Sequence, residues 1–322
     1  MPAVPSPTDF VLGVDFGGTK LDVATATLDG RIVTSQRLPT TAAEGAGQAV
    51  QRALECARML ADHTATTTGG RLVAAGASSP GIVLEDRILL APNVPGWTEL
   101  PLAARLRDGL ALDTVVTETD VKAAALAETR WGALHGADPG VFLSLGTGLA
   151  AGIVVGGRVL HGANGAAGEI GYALRGTHDE LGAADGRAPL EEYAGGRAIG
   201  ERGGRLLGEA LSAADVFARA ESDLDARMLV DETLAELAVH VANLAVLLDP
   251  ARIAVGGGLM ASAEPILAAL RRRVRRAVPF PTEVVAARFV HDAPLRGAIA
   301  LAIDAAGPVP AAPGLAQVIE TH

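Results

Sequence analysis

One pattern occurs twice in this chain: an apolar strand, a glycine turn, a second strand, a two-residue turn and a third strand. The two copies span residues 11–38 and 141–160. Their two-residue turns are Asp-Gly at 29–30 and Gly-Gly at 156–157, and both dipeptides are typical of β-hairpins. Because helical sequence follows each copy, the repeat predicts a duplicated α/β fold that holds a nucleotide between its two glycine turns.

The first glycine turn contains the residue types that bind phosphate groups. Gly17 and Gly18 let the backbone approach an anion closely. Thr19 and Lys20 follow them, and Asp15 ends the preceding strand, where its carboxylate can hold hydrated Mg²⁺ against the same phosphates. The alternative is a plain β-hairpin that binds no ligand.

The second glycine turn consists of Gly146, Thr147 and Gly148, and it again lies between two apolar strands. The sequence contains no GxxxxGK[ST] string, so a Walker-type P-loop is excluded. Any phosphate site in this protein therefore has a different architecture.

The composition is that of a globular protein and argues against two classes of partner. The 322 residues are 49% hydrophobic and carry a net charge of −10, so a nucleic-acid surface is not expected. The basic run at 271–276 has helical spacing and predicts a solvated helix face. No apolar run reaches the ~18 residues that cross a membrane, and residues 1–7 are too proline-rich for a signal sequence. We therefore expect a cytoplasmic protein, with Cys56, the only cysteine, in its core.

Asp120 lies where a strand predicted at 114–117 gives way to an alanine-rich helix predicted at 121–131. An acid is favoured at a helix N-terminus and stays ionised there. Asp120 therefore either caps this helix or serves as a general base. Lys122, one of only two lysines in the chain, is either a surface residue of the same helix or part of a site.

Six motifs occur in order along the chain: DFGGTK at 15–20, APNVPGW at 91–97, ETDVKAAALAE at 118–128, LGTGLAAGIVVGGRVLHGANGAAGEIGY at 145–172, LEEYAGG at 190–196 and DPARIAVGGGLM at 249–260. Through these motifs the chain resembles the ROK-family sugar kinases, a branch of the actin/hexokinase/Hsp70-like ATPases. The resemblance extends from about residue 10 to about residue 303.

This resemblance implies a duplicated actin-like ATPase (ribonuclease H-like) fold, with two lobes and a cleft for nucleotide and sugar between them. We expect a small N-terminal lobe over 8–119 and a large C-terminal lobe over 120–294. A helix at about 295–306 would pack back on the first lobe. The resemblance also implies ATP and Mg²⁺ as cofactors, a sugar or cyclitol as the small-molecule partner, and a homodimer.

The resemblance further implies roles for individual residues. Asp120 aligns with the family's catalytic aspartate and would be the general base. The second glycine turn would hold phosphate oxygens. The triplet Gly256, Gly257 and Gly258 would let adenosine lie flat on the backbone, although such a triplet also makes a tight strand-to-helix turn. The residues at family sugar-contact positions are Asn93, Glu169 and Glu191.

The chain departs from the family pattern at the acceptor positions. Thr119 stands where the family has asparagine, and Tyr172 stands where it has a sugar-binding histidine that often ligates zinc. The family's cysteine-rich zinc segment is replaced by residues 177–189, where His178 is the only histidine. We therefore expect no zinc site and a solvated loop. Because the phosphate motifs are retained while the acceptor positions differ, we expect a kinase for a modified hexose, an aminosugar or a sugar-like cyclitol.

Two alternatives remain. The protein is a glucokinase that tolerates Thr119 and Tyr172, or it is a sugar sensor without catalytic activity, because some ROK proteins are repressors. Such repressors carry an N-terminal helix-turn-helix, which we do not expect here because the first strand is predicted to begin by Phe10. Asp120 and both glycine turns favour an enzyme.

Overall fold

The computed structural model describes residues 5–91 and 94–307. The chain divides into two compact units. The described residues up to Glu118 and those from Ala298 form the first unit, and Thr119–Gly297 forms the second. No helix in the two described ranges is long and apolar enough to cross a membrane.

Among the described residues, the first unit contains a five-stranded sheet, a short hairpin, two complete helices and the part of a third helix from Ala298 onward. In chain order its elements are β1 (Phe10–Phe16), β2 (Lys20–Thr27), β3 (Ile32–Pro39), α1 (Ala46–Thr68), β4 (Leu72–Ser79), β5 (Ile82–Val83), β6 (Ile88–Leu89), α2 (Leu102–Leu110) and β7 (Val115–Thr119). The sheet order is β3-β2-β1-β4-β7. Strand β1 pairs antiparallel with β2 and parallel with β4.

The core of this unit lies between the sheet and the apolar face of α1. Trp97 is fully buried, packs against Phe16 with 5.3 Å between ring centroids, and donates its indole N–H to the Ser79 hydroxyl at 2.8 Å. Cys56 is buried in the same cluster, as predicted.

Helix α1 has 23 residues, because it continues through a run rich in threonine at its C-terminal end. Threonine disfavours helices when its hydroxyl competes for the backbone. Here the Thr66 and Thr67 hydroxyls bond to carbonyls four residues earlier, and Thr64 is buried against the Thr25 hydroxyl at 2.6 Å. The hydroxyls are satisfied without interrupting the helix, which local propensity does not reveal.

The second unit repeats the plan of the first with more helices. In chain order its elements are α3 (Asp120–Trp131), β8 (Gly140–Leu145), β9 (Leu149–Val155), β10 (Arg158–Val159), α4 (Glu191–Ala194), α5 (Gly196–Leu207), α6 (Ala213–Arg219), α7 (Leu224–Leu248), β11 (Arg252–Gly256), α8 (Ala263–Ala277), β12 (Glu283–Ala286) and the beginning of α9 (Ala293–Ala306). From Ala298, α9 belongs to the first unit. The five arginines of the basic run lie exposed on α8.

The two sheets have matching topologies, so the duplicated α/β fold predicted from the repeat is confirmed. The second sheet has the order β10-β9-β8-β11-β12, in which β8 pairs antiparallel with β9 and parallel with β11. The sequence analysis did not predict α2, α6 or β12. Strand β12 has four residues and is defined by its parallel pairing with β11, which no local pattern indicates.

A buried glutamate ties the end of α3 to two loops. Glu128 is fully buried and its carboxylate accepts hydrogen bonds from the backbone N–H groups of Ala133 (2.6 Å), Arg288 (3.1 Å) and Phe289 (2.7 Å). Three donors compensate for burying the charge, because charge-assisted hydrogen bonds replace those lost from water. The role of Glu128 within its motif is therefore structural.

Candidate active site

The first glycine turn presents three exposed residues. Gly17 donates its N–H to the carbonyl of Lys20 at 2.9 Å, and a Cβ at Gly17 would lie only 2.7 Å from that oxygen. The turn therefore requires glycine at position 17, because a side chain there would clash with the Lys20 carbonyl. At Gly18 a Cβ would meet nothing within 4 Å, and Gly18, Thr19 and Lys20 are all exposed. The turn leaves the backbone at Gly18 open to an approaching ligand.

Asp15 is held at the end of β1 by the neighbouring strand. It pairs in register with Ser78 of β4, whose hydroxyl donates to Asp15 Oδ1 at 2.8 Å. The carboxylate is half-buried. The Ser78 contact fixes its orientation at the start of the glycine turn, where the sequence analysis expected a ligand for hydrated Mg²⁺.

The second glycine turn lines a cavity of about 790 Å³ within the second unit. Gly146, Thr147 and Gly258 all contribute to its wall. Gly258 begins a short 3₁₀ segment, Gly258–Ser262, and a Cβ there would meet nothing within 4 Å. The structure thus brings the second glycine turn and the glycine triplet to one cavity, although more than 100 residues separate them in the sequence.

The other glycines of these two motifs face protein atoms. A Cβ at Gly148 would lie 2.4 Å from a carboxylate oxygen of Glu191, and one at Gly256 would lie 2.7 Å from the Phe142 ring. Gly257 has a φ of +92°, a conformation that favours glycine. Packing and backbone conformation account for these three glycines, so the tight-turn interpretation of the triplet applies to Gly256 and Gly257.

Helix α5 supplies cavity residues that the sequence analysis missed. Gly196, Gly200 and Gly204 line the cavity at intervals of four residues, on one face of the helix. Gly196 donates its N–H to the Gly146 carbonyl at 2.8 Å, and a Cβ there would lie 2.6 Å from the same oxygen. Gly196 therefore lets α5 approach the second glycine turn, and the neighbouring Arg197 also lines the wall. The four-residue spacing of these glycines was visible in the sequence and could have indicated a helix face without side chains.

Asp120 is the first residue of α3, and Thr119 occupies the N-cap position. The Asp120 Oδ1 atom accepts the N–H of Val121 at 2.7 Å. Burial raises the pKa of the Asp120 carboxyl to about 6, while hydrogen bonds from backbone N–H groups and the charge of Lys122 act in the opposite direction. Asp120 therefore titrates close to neutral pH, which suits a general base better than a pure capping residue.

Three residues from later in the chain join Asp120 in one acidic pocket. Burial raises the pKa of Glu169 to about 7; the Lys122 charge opposes the shift, and Asp120 and Glu191 add to it. Burial followed by the charges of Glu169 and Glu191 raises the pKa of Tyr172. Glu191 in turn accepts the N–H of Leu149, just after the second glycine turn, at 2.9 Å.

Lys122 is buried, so the interpretation of this residue as a surface lysine is wrong. Its side chain is 2% exposed and its ammonium donates to the carbonyl of Gly165. Thr119 is likewise buried, with 4% of its surface exposed. Asn93 lies outside the described residues, so its expected sugar contact stays a prediction.

The segment that replaces the family's zinc motif is held by charge and aromatic contacts. Arg175 forms a two-pronged ion pair with Asp179, at 2.5 and 3.0 Å, which holds the pKa of Asp179 well below its usual range. The Tyr193 ring lies between two guanidinium groups, those of Arg175 (4.7 Å to the centroid) and Arg202 (3.9 Å). We call these four residues the arginine clamp. Within residues 5–91 and 94–307 no cluster of three His, Cys, Asp or Glu side chains could hold a metal ion.

Two five-stranded sheets of matching order, each with its own glycine turn, define an actin-like ATPase fold. The ROK family model matches residues 11–305. A glucokinase from Halalkalibacterium halodurans is 31% identical over 81% of this chain and 84% of its own length. An N-acetylmannosamine kinase from Shigella boydii is 33% identical over 90% and 97%. The crystal structure of a ROK glucokinase from Streptomyces griseus, in complex with glucose and AMPPNP, superposes with a TM-score of 0.73 at 28% identity, over 92% and 99%. The chain belongs to the ROK family.

Proposed function

We propose that this protein transfers the γ-phosphoryl group of ATP to a hydroxyl of a modified hexose, an aminosugar or a sugar-like cyclitol, with Asp120 as general base. The coarser statement, that it is an ATP-dependent sugar kinase, follows from its membership of the ROK family and from relatives that are glucokinases and N-acetylmannosamine kinases.

The observation that carries the proposal is the set of residues that the second unit brings together. A carboxylate that titrates near neutral pH, Asp120, shares an acidic pocket with Glu169 and Glu191. Glu191 also bonds to the backbone at Leu149, next to the glycine turn that lines the large cavity. A candidate base, hydroxyl-binding carboxylates and a candidate phosphate turn thus share one unit.

In the proposed reaction an acceptor hydroxyl lies against Asp120. The carboxylate takes the hydroxyl proton as the acceptor oxygen forms a bond to the γ-phosphorus, and the bond from phosphorus to the β,γ-bridging oxygen breaks. ADP leaves with the electron pair of that bond. Asp120 must be ionised at the start, so its pKa of about 6 leaves it ready to accept a proton at pH 7 and above.

We assign ATP binding to the residues that leave room for it. The backbone N–H and the hydroxyl of Thr147 would hold phosphate oxygens, because the Gly146 N–H already donates to the Gly148 carbonyl at 3.0 Å. Gly258 would leave space for the adenosine. The expected phosphate contacts of Thr19 and Lys20, which are exposed on the first glycine turn, are part of the proposal. Mg²⁺ would be held through water by Asp15, whose half-buried carboxylate suits a hydrated cation, and would neutralise phosphate charge.

Acceptor choice is assigned to Thr119 and Tyr172. An asparagine offers a donor and an acceptor to adjacent hydroxyls, whereas threonine is shorter and offers a single hydroxyl. Tyrosine is bulkier than histidine and carries its polar atom further from the backbone. A glucose hydroxyl left unpaired in such a pocket would cost about 1–3 kcal/mol, or roughly 5- to 150-fold in kcat/KM. The preferred acceptor therefore lacks, inverts or replaces a hydroxyl that glucose has.

A coupled ADP-release assay over a panel of hexoses, aminosugars and cyclitols tests this proposal. We expect glucose to be a poor acceptor compared with the best compound in the panel. The double variant Thr119→Asn with Tyr172→His should raise turnover of glucose and lower turnover of that compound. Val239→Thr, an exposed change on α7, serves as the control variant.

Two results would replace the proposal. If the unmodified protein phosphorylates glucose with kcat/KM above ~10⁵ M⁻¹s⁻¹, within the usual enzyme range, the glucokinase alternative applies. If it binds sugars by calorimetry but releases no ADP with any acceptor, the sensor alternative applies. The expected homodimer stays a proposal, which sedimentation equilibrium would test.

A further inference from the structure

Lys122 is a buried charge that the proposed reaction does not use. Lysine is among the residue types least often buried in full, because removing an ammonium from water is costly unless it is paired. Here the side chain is 2% exposed. Its ammonium donates to the carbonyl of Gly165, in the loop between β10 and Glu169. A neutral side chain of similar length would fill the same space at lower cost, so the positive charge itself requires an explanation.

The groups around Lys122 are predominantly acidic. Asp120 lies two residues earlier on α3, and Glu169 follows the loop that Lys122 contacts; the charge of Lys122 acts on both. Glu191 of α4 and Tyr172 belong to the same electrostatic group.

The other elements packed against α3 bring little further charge. Strands β8 and β9 contain no charged residue, and β10 contributes only the exposed Arg158. On α9, which contacts α3 through Gly297, Arg296 is paired with Asp292. Within the described ranges Lys122 is the cation whose charge acts on both Asp120 and Glu169.

We propose, on the basis of the function proposed above, that Lys122 is a positioning residue for acceptor phosphorylation: its buried ammonium anchors the Gly165 loop that carries Glu169 and favours the ionised forms of Asp120 and Glu169. Without this cation, the neighbouring, partly buried carboxylates would take up protons at a higher pH. A protonated Asp120 cannot accept the proton of the acceptor hydroxyl. Lys122 thus supports the reaction without touching the reacting atoms.

Two neutral variants separate the charge of Lys122 from its hydrogen bond. Lys122→Met removes both, whereas Lys122→Gln keeps a donor for the Gly165 carbonyl but no charge. Both should move the acidic limb of the kcat/KM profile upward by about one pH unit, the lower end of what a neighbouring opposite charge contributes. The loss should be about 5-fold at pH 6, because the ionised fraction of Asp120 falls from about one half to about one eleventh, and it should be small at pH 9. Lys122→Arg should keep the midpoint of the wild-type profile.

A titration without substrates makes the test independent of the proposed activity. Carboxyl ¹³C NMR should show the Asp120 and Glu169 signals titrating at higher pH in both neutral variants, with Asp120→Asn and Glu169→Gln assigning the signals. Thr129→Val is the matched control, because it removes one polar contact on the same helix without changing charge. Circular dichroism checks that each variant folds, and Lys122→Gln carries the test if Lys122→Met does not fold.

The outcomes are distinct. Unchanged titrations in both neutral variants would overturn the charge role. A wild-type profile in Lys122→Gln together with a loss in Lys122→Met would leave only the anchoring of the Gly165 loop. If the titrations shift but no acceptor is phosphorylated by the wild-type protein, the proposed function fails while the electrostatic role of Lys122 stands.

Discussion

At the scale of single residues, the sequence position of Asp120 left two interpretations, a helix cap or a general base, and we propose the second. The cap position belongs to Thr119, and Asp120 shares its pocket with other carboxylates. We predict that Asp120→Asn folds and binds nucleotide normally but loses 10²- to 10⁴-fold in kcat, roughly the contribution of a positioned base. Steady-state kinetics and nucleotide calorimetry measure both effects. Asp225→Asn, an exposed change in α7, is the control. A variant at Asp120 that keeps more than half of the activity would remove this residue from the mechanism.

Glu169 is expected to destabilise the folded protein at alkaline pH, where its carboxylate is ionised. Its pKa is raised from 4.5 to about 7 in the folded protein, so between these values the folded state binds a proton that the unfolded chain does not. The stabilisation from that proton is present below pH 4.5 and is lost as the pH rises through 7. Glu169→Gln removes the titration. Thermal unfolding should therefore show similar melting temperatures at pH 4.5 and a more stable variant at pH 8. An equal difference at both pH values would contradict the shift.

At the scale of elements, the arginine clamp contacts the segment between Tyr172 and Glu191, two positions that we propose to bind the acceptor. Arg175 pairs with Asp179, whose side chain is 7% exposed, and its guanidinium also lies over the Tyr193 ring. Arg175→Met removes both contacts, so we expect the opened fraction of this segment to rise several-fold.

In Arg175→Met we expect faster hydrogen exchange over residues 174–189. We also expect a higher KM for the acceptor and an unchanged KM for ATP. Arg158→Met, which removes an exposed arginine of β10, is the comparison. Unaltered exchange in Arg175→Met would mean that packing alone orders the segment.

At the scale of the whole molecule, the purified protein is expected to contain no stoichiometric zinc. Structural zinc sites need four converging ligands, usually cysteine or histidine. Cys56, the only cysteine, is buried in the first unit, and His178 is exposed beside Asp179. Elemental analysis of the protein before and after dialysis against a chelator measures this, together with the melting temperature, which should not change. One zinc per chain, with lower stability after chelation, would disprove it.

Local signals in the sequence determined the repeat, most strand positions and the two glycine turns. Hairpin turns such as Gly30 in Asp-Gly depend on backbone conformations that neighbouring residues specify, and alternation of apolar residues marks a strand without knowledge of its partner. Asp15, Asp120 and the glycine motifs could therefore be selected from the sequence.

Contacts between distant residues decided the rest. The hydrogen bond from Lys122 to Gly165 spans 43 positions, and the one between Glu128 and Phe289 spans 161. A local sequence pattern therefore shows neither that these side chains are buried nor which groups they bind. The same reason explains why sequence alone could not distinguish Gly258, which opens onto the cavity, from Gly256, which packs against a ring. Whether a glycine borders the cavity or packs against protein atoms depends on the elements around it, and only the tertiary structure specifies those elements.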